Sequence, residues 1–188
     1  MSKGKGARED HDQDHAFGYE GRRTHILCRD IMTREVTVAT RDATLEQIAK
    51  WMLEEDTGII PIVDPVAIES AEAAKGEGRN HGKLVGLITD RDIVIRAIAM
   101  GKDPRTTRVE EVMTTEVHTA QPDDRVVDVI RKMGDKQVRR IPVVDQDGNL
   151  RGIISMADIA LETEEDRELT HALEEISSGH SFWSRFFD

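Results

Sequence analysis

The sequence predicts an α/β (α+β) fold made of two tandem βαββα units packed together with pseudo-two-fold symmetry. Three observations carry this. Ile31-Met32-Thr33 recurs as Val112-Met113-Thr114, and Ile60-Pro61-Ile62-Val63-Asp64 recurs as Ile141-Pro142-Val143-Val144-Asp145, both at an offset of 81 residues. Gly86-Leu87-Ile88-Thr89 with Asp92-Ile93 recurs as Gly152-Ile153-Ile154-Ser155 with Asp158-Ile159, at an offset of 66. Within each copy, strand-like and helix-like apolar periods alternate in the same order. Two near-identical units bury their apolar faces most simply against each other, which implies the symmetry.

Taken in order, residues 1–25 are rich in Gly, Asp, His and Lys with little to bury, and predict a disordered tail. The first unit spans 26–104. Val36 to Ala39 reads as a short β-branched strand, and Leu45, Ile48, Ala49 and Met52 fall on one face of a helix. The Ile60 and Gly86 blocks are the next two strands, separated by an Ala-, Glu- and Gly-rich insertion at 65–82. Asp90 to Met100 reads as an amphipathic helix that Gly101 ends in a left-handed cap. The second unit, 105–162, repeats the plan with Val117 to Ala120, then the stripe Val126, Val129, Ile130 and Met133. Its hairpin, Ile141 to Val144 with Leu150 to Ile154, closes on Asp145-Gln146-Asp147-Gly148-Asn149, residues that tolerate positive φ. In a hairpin the first residue of one strand sits beside the last of its partner. Ile60 and Thr89 are therefore expected at one end and the insertion at the other. The segment 163–188 predicts a helix with Leu169, Ala172, Leu173 and Ile176 on one face, ended by Gly179. After it, Phe182, Trp183, Phe186 and Phe187 form an aromatic tail that packs on its own module or docks a partner.

Composition narrows the function. A formal net charge of -11 disfavours non-specific nucleic-acid binding, which needs a basic face. The one locally basic stretch is Arg131, Lys132, Lys136, Arg139 and Arg140, opposed by Asp135. The longest apolar run, Ile93 to Met100, is interrupted by Arg96 and too short to span a bilayer, so a cytoplasmic, soluble protein is expected. Cys28 is the single cysteine, so no intramolecular disulfide forms. His11, His15 and His25 lack the spacing of a compact metal motif, and no metal site is expected. No nucleophile, base and orienting group emerge together, which argues against an enzyme.

The most informative motif is Gly86-Leu87-Ile88-Thr89 followed by Asp92, mirrored by Gly152-Ile153-Ile154-Ser155 and Asp158. Two readings stand. In one, Thr89 and Ser155 cap a helix and the carboxylate three residues on reaches back, a capping box. In the other, the hydroxyl and exposed helix N–H groups meet phosphate, the carboxylate accepts from two ribose hydroxyls, and the glycine lets the ligand approach the backbone closely.

Met-Thr before the first strand, Ile-Pro-x-Val-Asp in the second and Gly-x-x-Thr/Ser-x-x-Asp after the third together resemble the cystathionine β-synthase (CBS) domain, present twice between about Cys28 and Leu161. The first copy, through Leu87-Ile88-Thr89-Asp90-Arg91-Asp92-Ile93-Val94-Ile95, is similar to stand-alone bacterial CBS pairs and to the regulatory module of inosine monophosphate dehydrogenases. The resemblance implies a sensor that binds an adenine nucleotide (AMP, ADP or ATP) or a related adenosyl ligand, requires no cofactor, forms a homodimer and signals to a separate protein. It implies that Asp92 and Asp158 hold ribose hydroxyls and that Thr89 and Ser155 hold ribose or phosphate. Ile60, Pro61, Ile141 and Pro142 would wall the base, with Thr40 and Gln121 at its edge. Arg139 and Arg140 match phosphate-binding positions and Arg91 adds charge to the first site. The first copy has Gly58 and Ile59 where the second has its two arginines, so the second copy is expected to hold phosphate better. His118, in place of Thr37, also departs from the first copy. The competing expectation is an interaction protein that uses the repeats for dimerisation, its clefts vestigial.

Overall fold

The computed structural model describes residues 26–65, 81–162 and 169–172. The predicted disordered tail, most of the insertion and the aromatic end lie outside the described residues. The first repeat runs through a short helix α1 (Cys28–Ile31), helix α2 (Leu45–Glu54), strand β1 (Ile59–Asp64), strand β2 (Lys83–Thr89) and helix α3 (Asp90–Asp92). The second has a 3₁₀ turn at Val109–Glu111, helix α4 (Val126–Lys136), strands β3 (Arg140–Val144) and β4 (Leu150–Ser155), and helix α5 (Met156–Glu162). β1 pairs antiparallel with β2, and β3 with β4.

Local chemistry accounts for most of these elements. Thr44 caps α2 by accepting from the Gln47 N–H, while the Gln47 side chain accepts from the Thr44 N–H at 2.9 Å. The predicted stripe of α2 buries Leu45, Ile48 and Met52, whereas Ala49 is exposed. All four predicted residues of the α4 stripe are buried, with Val127 beside them. The β3–β4 turn is closed by Asp145, whose Oδ1 accepts from the N–H groups of Asp147 and Asn149, and Gly148 supplies the left-handed residue at φ 82. Asp64, at the equivalent position, instead takes both a 2.7 Å and a 3.0 Å hydrogen bond from Arg41.

Two elements differ from the sequence expectation. The leading strands over Val36 to Ala39 and Val117 to Ala120 reduce to single parallel bridges, Ala39 to Ile62 and Ala120 to Val143. Each is an extended segment that touches its hairpin at one residue. The predicted helix from Asp90 ends at Gly101 (φ 70) as expected, but after α3 it widens into a π turn over Ile93–Ala97 and tightens into a 3₁₀ turn over Ile98–Met100. Ile93 and Ala97 stay buried, while Val94, Ile95, Ile98 and Met100 face outward.

The pseudo-two-fold symmetry is visible bond by bond. Leu27 bridges Arg125, and Arg108 bridges Thr44, the same pair with the repeats exchanged. Thr33 bridges Ile153, and Thr114 bridges Leu87 likewise. Lys83 bridges Asn149, its own equivalent, so the pseudo-axis passes between them. Around it the Leu84 N–H donates to the Gly148 carbonyl at 3.0 Å and the Leu150 N–H to the Gly82 carbonyl at 2.9 Å.

The repeats are joined by exchange, not by one shared apolar face. One core holds Leu45, Ile48, Ile60, Ile62 and Ile88 from the first repeat and is completed by Val109, Val112 and Met113 of the second. The other holds Val126, Val129, Ile130, Ile141 and Ile154, is completed by Cys28 with Ile31 and Met32 of the first repeat, and also takes Leu169 and Ala172. The repeat glycines serve this exchange. A Cβ on Gly152 would lie 2.6 Å from the Thr33 carbonyl oxygen, and one on Gly86 would lie 2.8 Å from Met113 Sδ and 3.0 Å from the Thr114 carbonyl oxygen. The close approach that the sequence assigned to a ligand is therefore occupied by the other repeat's Met-Thr segment.

Candidate functional site

Ile59 lies opposite Thr89, and Arg140 opposite Ser155, so both hairpins open toward the same end of the molecule. Asp64 and Lys83, which flank the insertion, pair at the far end of β1–β2, roughly 17 Å away along a six-residue strand. Between the two open ends lies a cleft of about 850 Å³, within the range of roughly 300–1,000 Å³ typical of small-molecule sites.

Its walls come from both repeats. The first contributes Gly58, Ile59, Leu87 and the turn from Thr89 to Asp92. The second contributes Thr114, Glu116, Val117 and His118 from its leading segment, Gln137 to Arg140 before and into β3, and Ser155 to Ala157. Gln137 is the left-handed C-cap of α4 (φ 54), and Asp56, its equivalent after α2, has the same conformation (φ 49). These turns set the direction from which β1 and β3 approach the cleft.

Both capping boxes form. Asp92 Oδ2 accepts from the Thr89 N–H at 3.0 Å and from the Thr89 hydroxyl at 2.8 Å, and Thr89 Oγ1 accepts from the Asp92 N–H at 3.1 Å. Asp158 Oδ2 accepts from the Ser155 N–H at 2.8 Å and hydroxyl at 2.7 Å, with the Asp158 N–H donating back at 3.2 Å. Each carboxylate thus keeps Oδ1 outside the box. Here the copies diverge. Arg96 Nη1 stands 3.4 Å from Asp92 Oδ1 and donates to the Val112 carbonyl at 2.9 Å and to Thr114 Oγ1 at 3.0 Å. It ties the Thr89–Asp92 turn to the leading segment of the second repeat. The equivalent of Arg96 is Glu162, which has no cationic group to offer Asp158.

Of the residues singled out from sequence, Thr89, Arg91, Asp92, Arg139, Arg140 and Ser155 line the cleft together. The others do not. Ile60 and Ile141 are fully buried in the two cores, with Pro61 and Pro142 buried beside them. The alternation of the strand turns Ile59, not Ile60, to the cleft. Thr40 is exposed and its hydroxyl donates to Asp42 Oδ1 at 2.5 Å. Gln121 is exposed at the start of a turn held by its N–H on Asp124 Oδ2. Asp158 is partly buried but is not among the lining residues. Leu87, Val117, His118 and Val138 are cleft residues that the sequence reading passed over. His118 was visible as a departure between the copies, without a partner to give it a role.

Among the described residues no group of three or more His, Cys, Asp or Glu is placed to hold a metal ion, and no helix is long and apolar enough to cross a membrane. Cys28 lies in the second core, outside the cleft. Burial pushes its thiol up to about 12, with Asp124 adding to the rise.

The CBS domain profile matches residues 28–66 and 109–165, the first match stopping where the insertion begins. The CBS domain-containing protein YhcV of Bacillus subtilis is 34% identical over 149 residues, covering 79% of this chain and 94% of that protein. Among solved structures, Hypoxic Response Protein I with two coordinated zinc ions is 32% identical with a TM-score of 0.59, over 72% of this chain and 98% of that one. The CBS domain pair of protein MJ0100, in complex with 5′-methylthioadenosine and S-adenosyl-L-methionine, is 31% identical with a TM-score of 0.59, over 73% of this chain and 99% of that one.

Proposed function

Because this chain belongs to the CBS domain family and carries the domain twice, we propose that it is a regulatory module binding an adenosyl ligand between its two CBS domains and signalling to a separate protein. The observation that carries the proposal is the cleft itself. The Thr89–Asp92 and Ser155–Ala157 turns and the two arginines before and in β3 converge there from different parts of the chain. Leu87, Ile59 and Val117 offer apolar surface to a base, Asp92 is the cleft-lining acceptor assigned to ribose hydroxyls, and Arg139, Arg140 and Arg91 the cations assigned to phosphate. The likeness to the MJ0100 pair supports an adenosyl ligand, since that pair is a complex with two such compounds. The role is regulatory, not catalytic, and the working compartment is the cytoplasm.

A second reading, an interaction protein that dimerises through its helices, draws on the apolar side of the 90–100 helical run. Val94, Ile95, Ile98 and Met100 are all more than half exposed, and Leu161, the equivalent of Ile95, is 79% exposed. A contiguous apolar face of this kind marks an interaction site, and both readings share a homodimer built on it.

Thermal denaturation with AMP, ADP, ATP and 5′-methylthioadenosine separates the two. A ligand at a hundredfold excess over its dissociation constant adds about 2.7 kcal/mol, a rise in melting temperature of about 5–10 °C for a chain of this length. No shift with any of the four would leave the interaction reading standing.

A further inference from the structure

The outer surface of the molecule is lopsided, although the bridges that join the repeats are reciprocal. Among the described residues six large apolar side chains are more than half exposed, and five of them, Leu53, Val94, Ile95, Ile98 and Met100, belong to the first repeat. The sixth is Leu161, in the place of Ile95. The sequence equivalents of Leu53, Val94, Ile98 and Met100 are Gly134, Ala160, Glu164 and Asp166. Charge follows the same division. From Ile93 to Gly101 there is no carboxylate, and the one cation, Arg96, is engaged by Asp92, Val112 and Thr114 of its own chain. The matching stretch of the second repeat, Ile159 to Arg167, carries Glu162, Glu164, Glu165 and Asp166.

In a two-fold dimer each residue near the axis meets its own copy, so the surface there must complement itself. A neutral apolar face does so. A stretch with four carboxylates repels its own copy, and each chain already has a formal net charge of -11. Resting on the homodimer of the reading above, we infer that two copies dock first repeat on first repeat, with Val94, Ile95, Ile98 and Met100 facing their counterparts across the axis and the second repeats standing apart. The opposite arrangement, first repeat against second, sets Ile98 and Met100 against carboxylates that would have to give up water. The Thr89–Asp92 turn runs directly into Ile93, so one wall of each cleft is continuous with the docked face.

Sedimentation equilibrium of the full chain and of two variants tests this. Ile98→Glu gives the first repeat the residue that the second has at this place, and should weaken the dimer on the order of tenfold or more. Leu161→Glu, at a more exposed side chain, should change it less than about threefold. Circular dichroism reports whether each variant is folded. Equal weakening by the two substitutions, or a larger effect at Leu161, overturns the inference and leaves the homodimer intact. A second measurement does not depend on the folding of Ile98→Glu. Nitroxides are attached to Met100→Cys and, separately, to Leu161→Cys, both exposed positions in a chain whose own Cys28 is buried. Pulsed electron paramagnetic resonance should then find the shorter distance between copies at the Met100 position. An equal or shorter distance at the Leu161 position overturns docking of first repeat on first repeat. A wild-type chain that sediments as a monomer throughout removes the homodimer, and this inference with it.

Discussion

Where β1 begins, the first repeat carries Gly58 and Ile59; where β3 begins, the second carries Arg139 and Arg140. Asp92 has Arg96 one turn on, and Asp158 has Glu162. The backbone bridges that join the repeats are reciprocal, Thr33 with Ile153 matching Thr114 with Leu87. The comparison teaches that the scaffold and the cleft answer to different constraints. Backbone pairing that joins the two units tolerates little change, because each bond has a counterpart across the axis. The side chains that face the cleft have no such counterpart to match, and there the copies have diverged in charge.

The largest test of this comparison acts on the two glycines under the exchanged segments. At Gly152 an added methyl meets the Thr33 carbonyl, which is backbone, whereas at Gly86 its nearest neighbour is the flexible end of Met113. Gly152→Ala should cost about 3 kcal/mol and Gly86→Ala about 1 kcal/mol, read as a drop in melting temperature of about 6–12 °C against 2–4 °C. Equal losses would mean that the two junctions are packed alike. A smaller effect is expected at Val109, which is fully buried in the core of the first repeat although it belongs to the second. Val109→Ala should cost about 2 kcal/mol and shift a single denaturation transition, because each repeat completes the other. Splitting into two transitions would show the repeats to be independent.

The smallest effect at neutral pH, and a conditional one, concerns Cys28, the equivalent of Val109. Its thiol ionises near 9.0 in the unfolded chain and is pushed up to about 12 by burial in the fold. The unfolded chain loses the proton first, so stability is unaffected below about pH 9 and falls as the pH rises from there toward 12. In Cys28→Ala this alkaline loss should disappear. Urea titrations at pH 8 and pH 10.5 measure it, and an equal pH dependence in both proteins would remove Cys28 as the cause.

Much of the fold was legible because a repeat is a long-range statement made in plain letters. Two blocks at one offset and a third at another fix the order of elements, the hairpin pairing and the position of the insertion. The caps at Thr89 and Ser155 were legible because capping is local. Which core Met32 and Met113 enter was not, since an apolar residue declares that it is buried and not against what. The π turn at Ile93–Ala97 has no pattern of its own in sequence: the same apolar residues suit an ordinary helix. Thr89, Arg91, Asp92, Arg139, Arg140 and Ser155, singled out by residue type, line the cleft, whereas Thr40 and Asp158, of the same types, do not. The apolar wall was misplaced by one residue, Ile60 for Ile59, because a strand buried on both faces shows no alternation to reveal which side turns outward.

The exchange of segments also sets an order of events in time. Ile26, Cys28, Ile31 and Met32 leave the ribosome before the rest of the described core they pack in, and that core includes Ile154, some 120 residues later. At about 5–20 residues per second that is on the order of 6–24 s during which this segment waits unburied. The core of the first repeat waits far less, since Val109 to Met113 follow its last strand by about 20 residues. Assembly during synthesis is therefore staggered. The first repeat can close early, and the second closes by drawing back a piece of chain made earlier. Through that interval the Cys28 thiol is in water, and only the closing of the second core buries it and raises its pKa.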